Sequence, residues 1–191
     1  MPGIVNIYTM RWSARLWFVL LRARGLALVA ATLNVIALSV ALADDNVFSA
    51  PDGEVILTVA GKITQTNLDG SAVFDEAMLA ALPPVSLETT TAVTDGVRKF
   101  DGFLMRDLLD LVGADGEKVT ATALNDYVID IPMEDFERFD VLVATHMDGQ
   151  RLLPSDKGPL WIVYPRDDHA ELRDIRYDYR WVWQLIRLDI K

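Results

Sequence analysis

The side chains with the widest chemical repertoire are few in this sequence, and their spacing limits what they can do. Two histidines occur, His146 and His169, with no third imidazole, so a zinc centre would need carboxylates to complete it. Cysteine is absent, which removes disulfides, thiolate nucleophiles, cysteine zinc sites and iron–sulfur clusters together. No G-x-S-x-G elbow, Walker loop or G-x-G-x-x-G fingerprint is present, so hydrolase, nucleotidase and dinucleotide-enzyme readings lack a starting residue. The carboxylate pairs Glu134-Asp135 and Asp167-Asp168 are the ordinary content of acidic loops. What remains is hydrogen-bonding and stacking equipment. Thr89-Thr90-Thr91 offers three hydroxyls or simply β-branched strand material, and Asn125 with Tyr127 offers polar groups at a strand edge or ordinary turn chemistry. Lys157 and Arg166 bracket the apolar run that contains Trp161, as anion ligands or as exposed salt-bridge partners. Trp161 itself reads as a core residue or as a stacking face, and Trp181 and Trp183 alternate so that both point to one side of an extended segment.

Composition sets the frame for these groups. The chain has 191 residues, 51% hydrophobic and 24% charged, enough for one sizeable core. Its formal charge is −10, yet the first 43 residues carry four arginines (Arg11, Arg15, Arg22, Arg24) and no acid. The remaining 148 positions hold 14 basic and 28 acidic residues, or −14. Such a surface repels nucleic acid and anionic lipid, which excludes nucleic-acid binding through a basic patch. From Leu26 to Ala43 the chain is uncharged and apolar, preceded by Arg22 and Arg24 and closed by Ala41-Leu42-Ala43 before Asp44-Asp45. That order predicts a signal peptide over 1–43 with cleavage after Ala43, an uncleaved N-terminal anchor being the rival, and a periplasmic location for residues 44–191.

Residues 51–191 show no repeat or linker and read as one domain. Extended segments are predicted at Glu54–Ala60, Val85–Val93, Val119–Leu124, Tyr127–Ile131, Val141–His146 with Arg151–Leu153, Leu160–Tyr164 and Trp181–Ile190. Helices are predicted at Asp75–Leu82, where an acidic start suits the positive end of the dipole, and at Phe103–Val112, which puts Leu104, Leu108, Leu109 and Val112 on one stripe. Pro132–Asp140 reads as irregular or single-turn helix, and Asp148-Gly149 as a hairpin turn. The fold class is therefore α+β, a mixed β-sheet domain with a few short helices.

The order of these signals resembles the sulfite oxidase-like molybdopterin-binding fold, in particular its small exported members. The resemblance covers roughly Val55–Ile190. Its most specific piece is Ala144-Thr145-His146-Met147-Asp148-Gly149-Gln150-Arg151-Leu152, followed by Lys157-Gly158-Pro159-Leu160-Trp161-Ile162-Val163-Tyr164-Pro165 and by Trp181 near the end. Phe100–Leu109 and Asn125-Asp126-Tyr127 are weaker matches.

Two departures from the family pattern bear on function. Catalytic members hold molybdenum partly through a cysteine in the segment that here reads Leu87-Glu88-Thr89-Thr90-Thr91-Ala92, and a hydroxyl is a poor substitute for a soft thiolate. The enzymes also usually carry an arginine where this chain has Trp161. The resemblance thus implies a pterin or molybdopterin-type ligand held without metal, with no catalytic or metal-ligating residue. The ligand-binding set would be Thr89, Thr90 and Thr91 at the former cysteine position, Asn125, Tyr127, Lys157, Trp161 and Arg166. It further implies an exported, non-catalytic binding protein that relays ligand state to a membrane sensor, such as a cyclic-di-GMP enzyme or a histidine kinase. The alternatives are a molybdopterin-dependent oxidoreductase with an atypical, cysteine-free metal site, and a structural subunit whose cleft has closed.

Overall fold

The computed structural model describes residues 48–191, so the signal peptide or anchor over 1–43 lies outside the described residues. Asn46–Lys191 forms one compact unit. Among the described residues, ten strands make two sheets. The first has the order β2-β1-β10-β5-β6, from β1 (Leu57–Gly61), β2 (Ala72–Phe74), β5 (Lys118–Ala123), β6 (Val128–Pro132) and β10 (Leu185–Ile190). The second joins β3 (Val85–Thr90), β4 (Val97–Leu104), β7 (Leu142–Met147) and β8 (Gln150–Arg151), with β9 (Trp161–Val163) pairing β7. Among the described residues only β1 and β10 run parallel, with Val59 opposite Leu188; the other pairs are antiparallel, so the first sheet is mixed, as the sequence implies, and the second is wholly antiparallel.

The helices are short and each has a local cause. In α1 (Glu76–Ala80) Asp75 is the cap: its carboxylate accepts from the Met78 amide at 2.9 Å and from the Gly53 amide at 2.8 Å. In α2 (Met105–Leu111) the predicted stripe of Leu104, Leu108, Leu109 and Val112 is buried, and Gly113 ends it at φ +58°. The sequence reading starts this helix at Phe103. The structure keeps Phe103 and Leu104 in β4, because Phe103 pairs Val143 and Leu104 pairs Leu142 across to β7. That sheet contact overrides helix periodicity. The pairing also requires Gly102, where an added Cβ would sit 2.0 Å from the Val143 carbonyl oxygen. Pro132–Asp140 supplies α3 (Met133–Arg138), and Asp148-Gly149 turns the β7-β8 hairpin with both residues at positive φ.

Two differences in the last third shape the site. Residues 169–180, to which the sequence reading assigned no element, contain a 3-10 turn (Ala170–Arg173) and α4 (Ile175–Asp178), capped by Asp174. The last strand begins only at Leu185, since Gln184 sits at φ +55° and breaks the extended run that starts at Trp181.

Candidate functional site

Four separate stretches of chain meet around a cavity of about 360 Å³, within the roughly 300–1,000 Å³ usual for small-molecule sites. Ala92 and Val93, just beyond β3, form one wall. Asn125 and Tyr127, in the turn between β5 and β6, form a second. Ile175, Asp178 and Tyr179 come from α4 and its C-terminal end, and Trp181 and Trp183 from the stretch leading to β10.

Hydrogen bonds fix these walls against each other. The Tyr127 hydroxyl donates to the Tyr179 carbonyl at 2.8 Å, tying the β5-β6 turn to the end of α4. Burial pushes the Tyr127 phenol up, and the neighbouring Tyr179 phenol adds to the shift, so the group stays protonated and donating at neutral pH. The Asn125 carbonyl oxygen accepts from the Tyr127 amide at 3.1 Å, an Asx turn that holds the side chain. Asp178 pairs with Arg166, and their side chains are only 22% and 18% exposed.

Behind the cavity lies an aromatic hub. Trp161 is fully buried and meets Phe100 edge-on at 5.3 Å, Trp181 at 6.4 Å and Trp183 at 6.5 Å between ring centres. The Lys157 ammonium lies 5.9 Å from the Trp161 ring centre and is bridged to Asp156 at 2.9 Å. The indole N–H groups of Trp161 and Trp181 have no hydrogen-bond partner among the described residues.

Of the residues proposed from the sequence, the structure brings Asn125 and Tyr127 into the cavity wall and sets the others elsewhere. Trp161 is fully buried and outside the lining, and the tryptophans that line the cavity are its neighbours Trp181 and Trp183. Lys157 caps that hub, and the charge of Arg166 is committed to Asp178 instead of being held for an anionic tail. The three threonines form a strap. Thr90 donates its amide and its hydroxyl to the two carboxylate oxygens of Asp167, each at 2.7 Å. The Thr89 hydroxyl accepts from the Asp167 amide at 3.3 Å, and the Thr91 hydroxyl accepts from the amides of Val93 and Thr94 at 3.0 and 2.9 Å. Those hydroxyls brace the loop that presents Ala92 and Val93, and the cavity receives apolar carbon from this segment.

Ile175, Asp178 and Tyr179 were missed because four helical residues give no periodicity. The available signal was Asp174, whose carboxylate caps α4 by accepting from the Arg176 amide at 2.9 Å. His146 and His169 stay apart from the site. The first bonds Thr145 through Nδ1 at 2.9 Å, the second sits edge-on to Phe139 at 5.0 Å, and among the described residues no three His, Cys, Asp or Glu side chains group to hold a metal.

The threonine strap has a pH consequence. The Thr90 hydroxyl and amide hold the Asp167 carboxyl below its usual range, and Asp75, Asp101, Asp130 and Asp148 are likewise lowered by donors, with Asp174 brought down to about 2. A carboxyl whose folded pKa is depressed adds stability above its unfolded value and loses it as pH falls through the folded one. Stability is therefore expected to hold near neutrality and to fall from about pH 4 towards pH 2, read by far-UV circular dichroism along an acid titration. A flat profile across that window would show that these contacts do not persist in solution.

This arrangement of strands is similar to that of known proteins. Residues 84–167 match the family described as oxidoreductase molybdopterin binding domain. Among solved structures, the sulfane dehydrogenase SoxCD from Paracoccus pantotrophus is similar, with 19% identity and a TM-score of 0.53 over 70% of this chain. The match spans 37% of that protein's chain, so the chain covers well under half of it. No curated protein sequence matches this one. The chain thus has the sulfite oxidase-like molybdopterin-binding fold, and its residues 84–167 are similar to the oxidoreductase molybdopterin binding domain family.

The residues around the cavity fit the two halves of such a cofactor differently. A flat heterocycle matches a space walled by Tyr127, Tyr179, Trp181 and Trp183, with Asn125 and Asp178 as polar groups. A molybdenum atom held by thiolate has no match: the lining contains no sulfur, and the Leu87–Ala92 segment contributes only Ala92 to it.

Proposed function

We propose that this is an exported, non-catalytic pterin-binding protein that passes its ligand state to a membrane-bound sensor such as a cyclic-di-GMP enzyme or a histidine kinase. The observation that carries the reading is the aromatic cavity of about 360 Å³ with polar groups on its walls and no sulfur in its lining. Bound there, the pterin ring would lie against the Trp181 and Trp183 indoles, with Asn125 and Asp178 meeting its polar edge. The Tyr127–Tyr179 hydrogen bond would keep the walls in register. When metal is present, a molybdopterin supplies oxygen-atom and electron transfer; here no residue of the chain takes part in such a step. The basic, apolar leader before Asp44 supports periplasmic work, and the −14 charge of residues 44–191 suits docking on a basic receptor face.

Titration of the purified protein with oxidised or reduced pterin should quench tryptophan fluorescence saturably, because two indoles border the cavity. Trp183→Ala should raise the dissociation constant at least about 5-fold, the scale of an aromatic pair. A flat wild-type titration would leave the cavity without its ligand and favour a structural subunit. The family match and the likeness to a sulfane dehydrogenase favour a second reading, a molybdopterin-dependent oxidoreductase with an atypical metal site. Stoichiometric molybdenum in protein purified from a periplasmic fraction would establish that reading and end the first.

A further inference from the structure

We infer that Asp178 selects the ligand by its amino edge: its carboxylate accepts from the exocyclic amine and the adjacent ring N–H of a pterin, and so rejects pteridines with an oxo group in place of that amine. The inference rests on the pterin-binding reading above and specifies which edge the site recognises.

The charges around the cavity single this residue out. Four cations around the site are paired: Arg166 with Asp178, Arg176 with Asp174, Arg180 with Asp135 and Lys157 with Asp156. Among the described residues, Asp178 is the only charged one in the lining. Arg166 engages its Oδ1 alone, and Oδ2 has no hydrogen-bond partner among the described residues. A carboxylate fixed by a guanidinium on one oxygen is oriented, and the other oxygen keeps unused acceptor capacity. It sits in a lining dominated by carbon, where an unmatched polar group on either side is costly.

The amino edge of a pterin is amidine-like, with two parallel N–H donors spaced as in a guanidinium fork, and a carboxylate is its natural complement. Asn125 provides the opposite character. Its carbonyl oxygen is taken by the Tyr127 amide, so its NH2 group is what it can offer to a ring oxo oxygen. Lumazine keeps the bicyclic ring and replaces the amine with a second oxo group, which would set an oxygen lone pair against the Asp178 carboxylate.

The test compares pterin and lumazine on wild-type protein and on Asp178→Asn by tryptophan quenching. Wild type should bind pterin at least about 10-fold more tightly than lumazine, since sites built to satisfy polar groups discriminate strongly against the unmatched analogue. Asp178→Asn should weaken pterin about 10-fold and leave lumazine bound at least as tightly as before, because the repelled oxygen then meets an uncharged amide, collapsing the preference. Equal wild-type affinities for the two rings would overturn the role of Asp178 and leave the pterin site standing. Quenching by neither ring would remove the pterin-binding reading and this inference with it. Should Asp178→Asn fail to fold by circular dichroism, the wild-type ratio alone decides, because it needs no variant.

Discussion

Trp161→Ala should destabilise the domain by about 3–5 kcal/mol in urea unfolding, the cost of truncating a large aromatic in a core that cannot collapse into the space. The side chain is fully buried, and its ring joins Phe100 on β4 to Trp181 and Trp183 on the stretch before β10, so its loss opens a void where the second sheet meets the cavity wall. Its indole N–H has no partner among the described residues, which offsets part of the gain from burial and makes phenylalanine the informative control. Trp161→Phe should cost less than half as much, because it keeps an aromatic ring against the same neighbours and deletes the unpaired donor. Ligand affinity should fall in Trp161→Ala only as far as Trp183 and Trp181 lose their backing. A fully stable alanine variant would show that Trp161 does not anchor the cavity wall.

Asp135→Ala should cost about 3 kcal/mol, at the low end for breaking a buried ion pair because one partner is partly exposed. The Asp135 side chain is 6% exposed on α3, against 22% for Arg180. Its Oδ2 receives both the Tyr164 hydroxyl, at 2.7 Å, and the Arg180 guanidinium. Burial pushes the Tyr164 phenol well above its ordinary range, and the Asp135 charge adds to the shift, so Tyr164 remains a neutral donor. Without the carboxylate, that hydroxyl and the guanidinium lose their shared acceptor in a poorly hydrated place. Asp135→Asn keeps an acceptor for Tyr164 and removes only the charge, so it should lose about 1–2 kcal/mol. Because Arg180 lies between Tyr179 and Trp181, both in the cavity lining, the alanine variant should also weaken ligand binding. Equal unfolding midpoints for wild type and Asp135→Ala would refute the network.

The elements that could be read from neighbouring residues alone are those whose signal is local. The β-branched and aliphatic run Glu54–Ala60, a strand in the structure over Leu57–Gly61, and the hairpin at Asp148-Gly149 are of this kind, as is the leucine stripe ending at Gly113. The order of motifs around Asp148-Gly149 and Gly158-Pro159 was enough to place the chain in its fold class. Strand β4 was obscured because Phe103 and Leu104 satisfy both a helix stripe and a sheet ladder. Only the pairing partners on β7, about 40 residues further on, decide between them. Helix α4 was invisible for a different reason: four residues carry no period.

The sequence by itself determined what chemistry is missing. A chain without cysteine offers no thiolate in any conformation, and residues 44–191, at −14, stay acidic however they fold. Which residues face a ligand was decided only by tertiary structure. Asn125 and Tyr127 reach the cavity because the β5-β6 turn lies beside Tyr179, 52 positions away from Tyr127. The donors of Thr90 are taken up because Asp167, 77 residues further on, accepts from both its amide and its hydroxyl. A polar side chain finds either a protein partner or open space according to what the rest of the chain brings alongside it, and sequence spacing carries no record of that meeting.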